Sequence, residues 1–146
     1  MKYEFDKYKC TTNNVKNKLE EYGIAIIPNL LNDEECDNMN NGIWNFFEHI
    51  SQNWKKPFSP IKRKDVKSWE NIYYLNPIHS QLFKSYSIGH AQVVWDIRQN
   101  PKVVEPFSKI WNCDKEDLFV SFDALSFCLP PETTGRGWEK DNNSWF

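Results

Sequence analysis

The amino-acid sequence predicts an α+β chain with its helices ahead of a long strand, and three observations predict it. Apolar residues recur at three- and four-residue spacing around residues 15–22, 36–50 and 103–111. A short apolar run, Ile24-Ala25-Ile26-Ile27, is stopped by Pro28. Residues 118–129 alternate with the two-residue period of a strand. With 146 residues, 40% of them hydrophobic and 16% aromatic, there is apolar material for one core, so a single domain over residues 1–146 is expected.

The elements follow in chain order. Val15, Leu19 and Tyr22 share a helical face, and Gly23 stands where a left-handed C-terminal cap would close that helix. The run 24–27 then reads as a buried strand. Asn32-Asp33-Glu34-Glu35 has the spacing of a reciprocal capping box and places acids at the positive end of the next helix. That helix lines up Cys36, Met39, Ile43, Phe46, Phe47 and Ile50, a stripe suited to core packing.

Residues 51–69 lose the pattern. Pro57 and Pro60 lie among Lys55, Lys56, Lys62, Arg63, Lys64 and Lys67, which reads as an exposed loop. Trp54, Phe58 and Trp69 interleave with these cations, a combination that could contact phosphates and stack on bases. The plainer reading is a solvated loop pinned by its aromatic residues, and it is preferred because the rest of the chain does not extend the positive patch.

Two further helices are expected, one from about His90 to Arg98 and one opened by Asn100 as cap with Pro101 in its first turn. Val103, Val104, Phe107, Ile110 and Trp111 would form the buried face of the second. In the alternating run, Leu118, Val120, Phe122, Ala124, Ser126 and Cys128 share one side, which suits packing on helices. The other side carries Ser121 and Asp123 among Phe119, Leu125, Phe127 and Leu129. A carboxylate and a hydroxyl on an apolar face either line a polar pocket or mark a turn, bulge or strand break. Residues 130–137, which open on Pro130-Pro131, read as a loop.

Charge and motif content narrow the function classes. Eighteen Lys and Arg against twenty Asp and Glu give a net charge of −2, so no overall field draws nucleic acid or anionic lipid, and neither is an expected partner. No apolar stretch approaches the roughly 20 residues of a membrane span, and the N-terminus carries charges where a signal peptide would be apolar, so an intracellular protein is expected. Cys10, Cys36, Cys113 and Cys128 are scattered and read as reduced thiols. The histidines stand in His49-Ile50-Ser51, His79-Ser80-Gln81 and His90-Ala91-Gln92; none begins a His-x-Asp or His-x-Glu pair, and none has a partner at chelating spacing. A lysine-bearing phosphate loop and a nucleophile elbow are both missing from the sequence.

Several segments carry a resemblance. Tyr22-Gly23-Ile24-Ala25-Ile26-Ile27-Pro28-Asn29-Leu30-Leu31 with the capped helix after it, then Gln92-Val93-Val94-Trp95-Asp96-Ile97-Arg98, Val120-Ser121-Phe122-Asp123 and Leu129-Pro130-Pro131, resemble the N-terminal portion of the phytanoyl-CoA dioxygenase-like family of iron(II)/2-oxoglutarate oxygenases. The resemblance implies a helical layer plus the first strands of an incomplete double-stranded β-helix, or jelly-roll. It implies hydroxylation or a related oxidation of a small molecule coupled to decarboxylation of 2-oxoglutarate, and a facial triad of a His-x-Asp/Glu pair with a distal His. Those ligands would follow the present sequence, so this chain is expected to hold neither iron nor 2-oxoglutarate and to be inactive alone. Ser121, Asp123 and Leu125 would then line the substrate pocket of the completed domain. Trp95 and Arg98 would hold helices against the sheet, and open strand edges would favour self-association. Two other roles fit the same residues: a binding or accessory module on the retained scaffold, and weak nucleic-acid binding through residues 51–69. The richness in Asn, Lys and Ile is that of an AT-rich genome such as a large DNA virus or a parasite.

Overall fold

A computed structural model describes residues 5–75 and 82–130, which form four α-helices, several 3₁₀ turns and one two-stranded antiparallel sheet. The class is α+β, and no jelly-roll is seen among the described residues. His79 and the tail from Pro131 lie outside them. The chain divides into two compact units, Met1–Asn38 with Trp95–Ser121 and Met39–Val94 with Phe122–Phe146.

In the first unit helix α1 spans Val15–Tyr22. Gly23 closes it at φ +70°, its N–H donating to the Leu19 carbonyl at 2.8 Å, as the glycine in the sequence predicts. The run 24–27 departs from expectation. Ile26 pairs with Lys9 in an isolated parallel bridge, held by N–H donation from Cys10 to Ile26 and from Ile26 to Tyr8, both 2.8 Å, while Ile24 is exposed. Only four residues separate the Gly23 cap from Pro28, which has no N–H to donate, so the ladder cannot lengthen.

Helix α2 spans Asp33–Ser51, and its capping box forms as expected. The Asn32 N–H donates to Glu35 Oε2 and the Glu35 N–H to Asn32 Oδ1, each at 2.8 Å. Glu35 also accepts from Lys102 Nζ at 2.7 Å and from Asn100 Nδ2 at 3.2 Å. The Lys102 ammonium, then the Asn32 amide and the Asn100 side chain, hold its carboxyl down at about 2.

Helix α4, Pro101–Trp111, begins on the same residues. Asn100 Oδ1 accepts from the Lys102 N–H at 2.9 Å, and Pro101 occupies the first turn. Pro106 is buried inside the helix, where it removes the donor that would meet the Lys102 carbonyl. Asn112, at φ +53°, ends the helix. This helix packs on α1 with Val103, Val104 and Ile110 half-buried, but Phe107 and Trp111 stay exposed, Trp111 at 71%. The expected five-residue buried face is thus only partly covered within its unit.

The second unit holds the main core. Ile43, Trp44 and Phe47 of α2 pack with Ile61, Ile72, Leu75, Phe83, Ile88, Val93 and Val94. Phe47 has no exposed surface, and its ring meets Phe83 at 5.5 Å and Phe127 at 5.2 Å. Gly42 lets Val93 approach: a Cβ at residue 42 would lie 2.7 Å from two carbons of Val93. Helix α3, Gln92–Arg98, supplies Val93 and Val94 to the core and follows a 3₁₀ turn, Ile88–His90, so the helix expected from about His90 starts with a tighter turn.

Residues 51–69 are irregular up to a 3₁₀ stretch, Val66–Leu75, yet they are firmly tied. Ser51 Oγ donates to the Phe47 carbonyl at 2.7 Å and accepts from the Ile61 N–H at 2.8 Å. Trp69 packs on Trp44 at 5.0 Å between ring centres and gives its indole N–H to the Lys62 and Arg63 carbonyls.

Candidate functional site

The sheet consists of β1, Leu82–Phe83, and β2, Leu125–Ser126, paired antiparallel with Leu82 opposite Ser126 and Phe83 opposite Leu125. The twelve-residue strand expected over 118–129 is therefore a two-residue strand. Its burial also runs against expectation. Leu125, Phe127 and Leu129 pack on the core of the second unit, whereas Val120, Phe122, Ser126 and Cys128 from the supposed packing side are exposed. Phe119 is 99% exposed. Alternation predicts two faces but not which one meets the helices; Phe127, edge-on to both Trp44 and Phe47, sets that orientation.

Asp123 stands just before β2, in the second unit. Its carboxylate accepts from the Ala124 N–H at 2.7 Å and has Lys84 Nζ at 4.0 Å. Both side chains are largely exposed, so this ion pair adds little to stability. The bond to its own next amide is the local competition with ladder formation that short polar side chains offer, and β2 begins only beyond it. Leu125 is half-buried in the sheet. Ser121 is exposed at the end of the first unit.

Lys84, Gly89 and His90, which sequence spacing does not single out, complete the Asp123 neighbourhood. The turn Ile88–His90 approaches the main chain of residues 122 and 123 so closely that a Cβ on Gly89 would lie 2.7 Å from the Asp123 carbonyl oxygen. That approach stacks the His90 ring on Phe122, with centres 4.6 Å apart and planes 15° from parallel. Lys84 follows β1 directly and so comes beside the start of β2. Gly89 is the only local signal of this contact, because the partners are far apart in sequence. Chemically the cluster offers a carboxylate, an ammonium group and a stacked imidazole at the solvent boundary. Such groups can orient a polar small molecule, and Leu125 beside them is apolar.

Metal binding is a separate matter. Among the described residues no three His, Cys, Asp or Glu side chains gather in a group that could hold a metal ion. His49 is exposed on α2. Trp95 and Arg98 are half-buried on α3. Among the described residues no helix is long and apolar enough to cross a membrane.

The chain is 32% identical over 79 residues to a protein described as Ava biosynthesis cluster protein O of Aspergillus versicolor. That match takes in 53% of this chain and 24% of the relative, so it spans about a quarter of the relative's length. No family model matches the chain, and no solved structure matches it.

Proposed function

We propose that this chain is the N-terminal part of an iron(II)/2-oxoglutarate oxygenase of the phytanoyl-CoA dioxygenase-like kind. Asp123 and Leu125 would contribute to the wall of a small-molecule pocket. The observation that carries this reading is the seating of residues 125–129. Leu125 and Ser126 pair with β1, and Leu125, Phe127 and Leu129 press onto a helical core, as the opening strand of a larger sheet would. The apolar residues just before them, Phe119, Val120 and Phe122, remain exposed, which fits a sheet continued by further strands. The partial likeness to a much longer biosynthesis cluster protein supports action on a small molecule.

The described residues do not fit an iron centre, so no chemical step is assigned to them through one. In the completed enzyme their part would be to shape the pocket and to hold the substrate beside Asp123.

Sequencing the native transcript beyond the Phe146 codon, with the intact mass of the protein from its source, tests the reading. A frame that runs on to a His-x-Asp pair and a distal His is the expected result, and the whole protein should then form succinate from 2-oxoglutarate with iron(II). A mature protein without those ligands would overturn it and leave the scaffold as a binding module.

A further inference from the structure

The second unit carries a row of aromatic rings that the oxygenase reading does not use. Tyr74 meets Phe58 at 4.3 Å between ring centres, Phe58 meets Trp54 at 6.0 Å, and Trp54 meets Tyr86 at 6.4 Å. Trp54 is half-buried, while Phe58, Tyr74 and Tyr86 are 39%, 53% and 51% exposed. Tyr86 and Ser87 both have left-handed backbones, at φ +57° and +56°, a costly conformation for a bulky residue and one found preferentially where function requires it.

Cations interleave with these rings. Lys55 and Lys56 lie in sequence between Trp54 and Phe58; both are exposed, and neither forms an ion pair among the described residues. Residues 51–69 hold six Lys and Arg and one carboxylate, in a chain whose net charge is −2. The whole-chain balance therefore hides a segment rich in exposed cations. Trp69, which the sequence places with the platform, is turned onto Trp44 instead, and Tyr74 and Tyr86 take its place.

We propose that this row of rings, with Lys55 and Lys56, is a binding face for single-stranded nucleic acid. Every base has a flat face to lay on a ring, and the backbone phosphates would meet the ammonium groups. The lysines decide against a protein partner, because the cores of protein interfaces are depleted in lysine, whereas here it alternates with the aromatic residues. The inference is independent of the oxygenase reading.

Fluorescence anisotropy of a labelled oligothymidylate titrated with the full chain at about 50 and about 200 mM salt tests it. The expected result is binding that weakens with salt. Replacing Lys55 and Lys56 together by Gln should lower the logarithmic salt slope by roughly 1 to 1.5. Tyr74→Ala and Tyr86→Ala should each weaken binding roughly 5- to 100-fold while lowering the melting temperature only slightly, since each ring is about half exposed. Absence of binding up to about 100 μM at the lower salt would overturn the proposal. So would tyrosine variants that bind like the parent, or equal affinity for a sulfated polysaccharide, which has charge but no bases. Tighter binding of an acidic peptide, lost on the same variants, would reassign the face to a protein and overturn it too.

Discussion

Ser51 shows how much one hydroxyl can carry. It is fully buried at the end of α2 and links the helix to the returning loop by giving its proton to Phe47 and accepting the Ile61 amide. Ser51→Ala leaves that amide buried without this acceptor, so urea denaturation should show a loss of about 1–3 kcal/mol. Phe47→Ala, which empties the centre of the same core, should cost about 3–5 kcal/mol. The two should rank in that order. A serine variant as stable as the parent would mean that another group satisfies Ile61. Phe47 is legible in the sequence as part of an apolar stripe. Ser51 is not, because a polar residue at a helix end looks the same whether it faces water or a neighbouring amide.

At the scale of elements, α2 gives two tests. In a solvated helix Gly→Ala would gain about 1 kcal/mol. At Gly42 the added methyl would strike the stiff, branched side chain of Val93 at 2.7 Å, so Gly42→Ala should instead destabilise by about 1–3 kcal/mol. Combining it with Val93→Ala should recover part of the loss, and equilibrium unfolding of all four proteins would measure the coupling. The second test concerns the start of the helix. The Glu35 carboxyl is held near 2, below its ordinary 4.5, so the folded chain binds fewer protons than the unfolded chain between those values. Its stabilisation is complete above about pH 4.5 and is lost as pH falls towards 2. Glu35→Gln, which keeps the capping geometry but not the charge, should melt lower than the parent at neutral pH, and the gap should close near pH 2. A gap constant with pH would show that the Lys102 contact does not matter. The caps of α1, α2 and α4 are legible from sequence because each is settled within a few residues. The strand over 118–129 is not, since its length and inward face depend on Asp123 taking its own next amide and on Phe127 finding Trp44 and Phe47.

Among the described residues, several aromatic side chains build the second unit's core and others lie open. Phe107, Trp111 and Phe119 of the first unit are more than half exposed and could meet a second copy of the chain. Replacing Trp111 and Phe119 by Ser should raise the concentration at which the chain stays monomeric in sedimentation velocity without lowering its melting temperature. A drop in melting temperature would mean those side chains are packed in solution. The α+β class is legible from periodicity, whereas the division into two units is not, because it depends on contacts between distant segments. The turn at Gly89 meets the main chain of residues 122 and 123, and its His90 ring also stacks on Phe122. A side chain at residue 89 would break that main-chain approach, so the frame around Asp123 depends first on residue 89 staying glycine. Any selection, natural or in the laboratory, that rewrites the chemistry beside Asp123 must therefore leave residue 89 as it is.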